Sequence, residues 1–328
     1  MDTSGPLVNR GWLGFGGWDV EVGIEKETRK ADAGIEGELR LRDGRILAFL
    51  ERGDPSGQPL LYFHGIPGCR LDAWGGAGLA ARTGVRLIGV DRPGFGNSDP
   101  SSGRTLLDWP NDVSQLVDAL GIKRFAVVGF SAGGPYALAC GYRMPERVSS
   151  IFVMAGLGPL DGPEGLGILG DVAGMWRLVQ RRPWVMTRMF GVYGFFARHF
   201  PPMSHRISVR GLAPADLEVV ERPQVAAGLL QAVNEMTRQG GRGATQDMQV
   251  LLSAWGFRPD EVRGPVRVWQ GDQDSLLRTS FGDSYGSAVA DCIVTRCADA
   301  GHFLLEDRMA DVLGLVGIAA TAPAGAAS

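Results

Sequence analysis

The stretch Val127-Val128-Gly129-Phe130-Ser131-Ala132-Gly133-Gly134 decides the fold. Phe125-Ala126-Val127-Val128 is apolar and β-branched enough for a buried strand. Pro135-Tyr136-Ala137-Leu138-Ala139-Cys140 begins a helix. Strand, sharp turn and helix around Gly129-x-Ser131-x-Gly133 is the context that holds a serine hydroxyl out as a nucleophile. The geometry explains the residue types. Ser131 must take a strained backbone conformation to lift its hydroxyl clear of the sheet, and the residues two positions away then come too close for side chains. The amide of Ala132, at the helix start, points to where an oxyanion would form. Glycine and serine are common, so the alternative is an ordinary tight turn, and the rest of the chain has to decide.

Outward from this stretch, strands follow at regular intervals. Upstream, Gly37–Leu41 and Arg45–Leu50 flank an Asp43-Gly44 hairpin turn. Leu60-Leu61-Tyr62-Phe63 is a third strand, ending in His64-Gly65-Ile66-Pro67-Gly68, where His64 reads as structural. Val85–Val90 is a fourth, running into the Pro- and Gly-rich loop Asp91–Asp99, in which Asp91 is expected to bond loop amides. Leu106–Leu120 reads as an amphipathic helix closed by Gly121. Downstream, Ser150–Ala155 is a sixth strand, Pro265–Trp269 a seventh and Cys292–Thr295 an eighth. Between the sixth and seventh, from about Gly156 to Gly264, the pattern is helical, with Met175–Val179, Trp184–Phe196, Asp216–Val220, Val225–Arg238 and Thr245–Trp255 as segments. This inserted cap is rich in Met, Trp, Phe and Tyr, and Trp184, Phe190 and Phe195 are its candidates for lining a substrate pocket.

Composition narrows the function classes. Of 328 residues, 45% are hydrophobic and 21% charged, enough for a sizeable core. The net charge of −3 gives no electrostatic reason to expect nucleic acid. Four scattered cysteines (Cys69, Cys140, Cys292, Cys297) without a C-x-x-C suit reduced thiols and a cytoplasmic location. No run reaches the ~18 apolar residues of a membrane helix. Residues 1–35 lack the basic start and apolar run of a signal peptide and read as a loosely ordered extension. The uncharged end, Val312–Ser328, reads as a final helix fraying into a flexible tail over 321–328.

A serine nucleophile needs a base, and the base needs an acid that fixes its tautomer. Three histidines follow Ser131. His199 and His205 fall in the cap; His302, in Ala300-Gly301-His302-Phe303 directly after the eighth strand, lies at the sheet edge that carries Ser131. The acid lies in Gly271-Asp272-Gln273-Asp274, after the seventh strand, and either aspartate could serve.

Five motifs in this order carry a resemblance. His64-Gly65-x-Pro67-Gly68, Asp91-Arg92-Pro93-Gly94-x-Gly96-x-Ser98, Gly129-x-Ser131-x-Gly133-Gly134, Gly271-Asp272-x-Asp274 and Gly301-His302-Phe303 look like those of the α/β-hydrolase fold superfamily. They resemble in particular its capped, serine-nucleophile, esterase-like members. The likeness runs from Gly37 to the final helix. It implies an eight-stranded, mostly parallel sheet with helices on both faces, a core over 36–155 and 265–320, and a cap over 156–264. It selects Asp274 as the acid, with Asp272 as the fallback, and places the second oxyanion amide at Ile66. Serine at the elbow sets the chain apart from epoxide hydrolases and haloalkane dehalogenases, which use aspartate there. The implied activity is hydrolysis of a carboxylic ester or similar acyl bond of a small, partly apolar molecule, without metal or organic cofactor. The same scaffold also serves lactonases, thioesterases, C–C bond hydrolases, Pro-specific aminopeptidases, natural-product tailoring enzymes and, in another class, small-molecule receptors that retain the triad.

Overall fold

The protein is described from a computed structural model, in which residues 34–160 and 165–321 are placed. The expectations for the N-terminal extension up to residue 33 and for the tail beyond 321 lie outside the described residues.

Eight strands form one sheet in the order β1-β2-β4-β3-β5-β6-β7-β8. These are β1 (Ile35–Arg40), β2 (Ile46–Gly53), β3 (Gln58–Phe63), β4 (Val85–Val90), β5 (Phe125–Phe130), β6 (Val148–Met154), β7 (Val266–Gly271) and β8 (Cys292–Cys297). Only β2 runs against its neighbours β1 and β4; every other pairing is parallel. A parallel sheet covered on both faces needs apolar side chains on both, so its strands are continuous apolar runs and do not alternate. β5 shows this directly. Phe125 and Val127 enter the core on one face, Ala126, Val128 and Phe130 the core on the other, and all are buried.

The helices divide between those faces. Ala80 of α1 (Ala77–Arg82) and Val312, Leu313 and Val316 of the last helix, Leu305–Thr321, pack on the face of Val128. Val113, Leu116 and Val117 of α2 (Trp109–Ala119) and Tyr136 to Cys140 of α3 (Gly134–Arg143) pack on the face of Val127. The last helix begins seven residues before the expected Val312. Glu306 and Asp307 fill its first turn, where carboxylates complement the exposed amides of a helix N-terminus.

Between β6 and β7 the described residues form helices: α4 (Ala173–Arg181), α5 (Pro183–His199), α6 (Pro201–Ser208), α7 (Pro214–Val220), α8 (Pro223–Met236) and α9 (Arg242–Leu252). Pro183, Pro201, Pro214 and Pro223 each open a helix. Proline is excluded from helix interiors but suits the first turn, where its missing N–H costs nothing. α6, which none of the helical segments expected from the sequence covers, opens on Pro201-Pro202. After β7 come α10 (Ser280–Ala288), β8 and α11 (Leu305–Thr321).

The strand order positions the site. From β3 the chain moves to β4 on one side and then returns to β5 on the other. The loops leaving the carboxyl ends of β3 and β5 therefore diverge, and a crevice opens between them.

Candidate active site

Ser131 follows β5 in that crevice. Its φ of 52° is left-handed, a region costly for a residue with a Cβ. The flanking glycines are sterically required. A Cβ at position 129 would lie 2.3 Å from the Gly133 carbonyl oxygen, and one at 133 would lie 2.0 Å from that of Phe63. Ser131 Oγ stands 3.0 Å from His302 Nε2, and His302 Nδ1 stands 2.9 Å from Asp274 Oδ2. Asp274 is itself fixed, because its Oδ1 accepts the amides of Leu276 (3.0 Å) and Leu277 (2.8 Å). His302 and Asp274 are buried, whereas Ser131 is only partly so. Burial pushes the His302 pKa down, but the Asp274 carboxylate, its hydrogen bond and the charge of Asp216 outweigh this, and the imidazole sits above its ordinary value. Asp272 is elsewhere. It pairs with Arg296 (Nε to Oδ1, 2.7 Å) at the surface.

The loop after β3 faces Ser131. A Cβ on Gly65 would come 3.3 Å from that of Ser131, and Ile66 lines the same space. Arg92, fully buried, pins this loop by donating to the carbonyls of His64 and Gly65. His64 Nε2 accepts the Arg92 amide at 3.2 Å, and burial with the nearby Arg92 charge keeps the imidazole well below its ordinary pKa, hence neutral. Arg92 in turn donates to Asp247 of α9 (Nε to Oδ2, 3.0 Å), whose Oδ1 accepts from Arg104 and from the Tyr136 hydroxyl, each at 2.6 Å. Asp91 behaves as expected, accepting the amides of Arg70 (2.7 Å) and Asn97 (3.2 Å), with the Arg70 guanidinium beside it.

Two cavities meet at Ser131. One, of about 530 Å³, is lined by Ile66, Ser131, Tyr193, Leu229, Leu276 and His302 among others, and opens past Asp171, Arg210 and Gly211. The other is a slot of about 50 Å³ beside Ala132, walled by Leu157, Trp176, Met248 and Leu277. Among the described residues no group of three or more His, Cys, Asp or Glu side chains is placed to hold a metal ion.

The model of the alpha/beta hydrolase fold family matches residues 58–308, most of the chain. This chain belongs to that family. Among solved structures, a hydrolase from Pseudomonas aeruginosa PA01 superimposes with a TM-score of 0.66 at 19% identity, over 88% of this chain and 100% of the other; at that identity the likeness is one of fold. Among curated relatives, the 2-hydroxymuconate semialdehyde hydrolase of Pseudomonas putida is 35% identical over 105 residues, 31% of this chain and 37% of the relative. The dihydrolipoyllysine-residue acetyltransferase component of an acetoin cleaving system from Cupriavidus necator is 25% identical over 275 residues, 84% of this chain and 66% of the relative. The chain spans about a third to two thirds of the length of the curated relatives it matches.

In this α/β-hydrolase the three cap aromatics expected at the pocket are not there. Trp184 and Phe195 point to solvent, 61% and 51% exposed. Phe190 is buried in the core, packed where a Cβ on Gly241 would lie 2.6 Å from its own. The reason is rotation about α5. Met186, Phe190 and Ala197 make the stripe that packs inward, and Trp184, Val192 and Phe195 lie on the opposite one. Tyr193, at the edge of the inward stripe, is the aromatic of α5 that lines the cavity. Asp216 of α7 was also missed. It is buried, accepts the Phe303 amide at 2.8 Å, and lies where a Cβ on Gly301 would strike its carboxylate at 2.3 Å. Only the packing of α7 on the His302 loop reveals it; nothing in its local sequence does.

Proposed function

We propose that this α/β-hydrolase is a serine hydrolase that cleaves a carboxylic ester or a similar acyl bond of a small, partly apolar molecule. The observation that carries the reading is the hydrogen-bonded chain Ser131–His302–Asp274, at 3.0 and 2.9 Å, opening into a cavity. With the Nδ1 proton on the Asp274 side, His302 Nε2 is free to take the Ser131 proton as Oγ attacks the carbonyl carbon. The elevated imidazole pKa makes it a stronger base and stabilises the imidazolium that forms. Negative charge then collects on the former carbonyl oxygen. The amide of Ala132 lies in the first turn after the strand, where helical amides lack partners, and with the amide of Ile66 it would meet that charge. His302 returns the proton to the leaving group, and water repeats the sequence on the acyl-enzyme.

The two cavities suggest how substrate is shared. The slot beside Ala132 suits a short apolar group on one side of the scissile bond, and the larger cavity takes the bulkier remainder. An aminopeptidase reading would need cap carboxylates for a substrate ammonium. Asp247 is consumed by Arg92 and Arg104, and Glu218 and Glu221 do not line the cavity; among the described residues of the insert, Asp171, exposed at the mouth, is the carboxylate that does.

The test is fluorophosphonate labelling together with turnover of a p-nitrophenyl ester series. Wild type should label at one serine and turn over short acyl chains repeatedly. Ser131→Ala should abolish both, with an unchanged circular dichroism spectrum. Labelling at another serine, or stoichiometric binding without turnover, would overturn the reading, the latter in favour of a receptor.

A further inference from the structure

The outer face of α5 and α6 is unusual for a protein surface. Of the ten large apolar side chains that are at least half exposed among the described residues, seven lie between Trp184 and Ile207. They form a surface rather than scattered points. Trp184, Val192 and Phe195 follow one another at helical spacing along α5, and Met203 and Ile207 do so along α6, with Phe200 at the junction just before it. The rings of Phe195 and Phe200, 6.4 Å apart, join the two stripes. Contiguous exposed apolar area of this kind marks a docking surface.

Its charge says what docks. Between Val172 and Leu212 the chain carries seven arginines and no aspartate or glutamate, although the protein as a whole carries −3. All seven are exposed, and none enters an ion pair among the described residues. Arg188 lies within the apolar stripe, its guanidinium 5.9 Å from the Trp184 ring, and Arg198 and Arg206 border it. Apolar and aromatic side chains flanked by unpaired cations are the composition of helices that lie in a lipid interface. There the rings enter the acyl boundary and the arginines meet phosphate groups.

We propose that the outer face of α5 and α6 docks on an anionic lipid surface. The last residue of α6 and the turn after it, Ser208 to Leu212, form one side of the large cavity's rim, which also carries Asp171, and Tyr193 lines the cavity from the inner side of α5. Docking therefore sets the cavity mouth beside the interface, where a lipophilic ester can enter from the bilayer; this last step rests on the hydrolase reading, and the docking itself does not.

The full chain is sedimented with vesicles of phosphatidylcholine alone and of phosphatidylcholine with an equal part of phosphatidylglycerol. Binding to the anionic vesicles is expected, with loss in 0.5 M salt, which screens charges beyond about 4 Å. Arg188→Glu/Arg206→Glu and, separately, Phe200→Ser/Ile207→Ser should each weaken binding about tenfold or more. Turnover of a soluble p-nitrophenyl ester and the melting curve should stay unchanged in both variants, while hydrolysis of a long-chain ester embedded in the vesicles falls. Equal binding to both compositions, binding to neither, or a dimer that Phe200→Ser/Ile207→Ser dissociates without any vesicle binding would overturn the proposal. Absence of soluble-ester turnover with vesicle binding intact would instead overturn the hydrolase reading and leave the docking standing.

Discussion

One oxygen of Asp274 takes the amides of Leu276 and Leu277, and the other faces His302 Nδ1. A carboxylate so held has one orientation to offer. Asp274→Asn keeps the shape and removes the charge that stabilises the imidazolium, so kcat should fall by about 10⁴. Asp272→Asn breaks only a surface pair with Arg296 and should leave kcat intact at a cost of at most about 1 kcal/mol. Ester kinetics and thermal melts of the two variants distinguish them; the reverse pattern would make Asp272 the acid. His302 adds a pH signature. The base must be neutral, and its pKa is raised, so kcat/KM should rise with pH through a midpoint above about 6.5. At this scale the sequence was readable. Ser131 and His302 sit on motifs whose residue types and places follow from local geometry, whereas only the family resemblance told Asp274 from Asp272. Arg92, Asp216 and Asp247 act through partners about 28 to 155 positions away, and no local pattern announces that.

The elements of the insert divide the labour. α7 carries Asp216 onto the His302 loop, and α5 turns Tyr193 toward the cavity. The groups whose charge bears on His302 are Asp274 and Asp216. Asp216→Asn removes one charge that raises the imidazole pKa, so the acidic limb of the kcat/KM profile should move to lower pH. A uniform fall in activity with an unmoved limb would reduce Asp216 to a loop support. Tyr193→Ala should enlarge the cavity and shift preference toward bulkier esters, whereas Trp184→Ala should leave the profile unchanged. An acyl-chain series with each variant decides this. The strands were legible because a strand buried on both faces must be a continuous apolar run, as in Val85–Val90. The orientation of α5 was not. Its sequence is apolar on both sides, so periodicity alone could not say whether Phe190 or Phe195 faces inward.

Across the whole molecule the insert and the sheet are joined through Asp247. Burial raises its pKa, but Arg92 and Arg104 dominate and hold it at about 2. Its folded value lies below the unfolded value of about 3.9, so its contribution to stability is complete above that pH and is lost as pH falls through about 2. Asp247→Asn leaves two buried guanidinium groups short of a counter-charge and should cost about 3–5 kcal/mol at neutral pH, read by urea unfolding. The same side chain holds Arg92, and Arg92 holds the carbonyls of His64 and Gly65 next to Ile66. The helical insert is thus not an interchangeable part. A chimera that grafts a foreign insert onto this sheet will fold with an idle centre unless the donor supplies a carboxylate where Asp247 stands, and restoring that single residue should restore turnover to the hybrid.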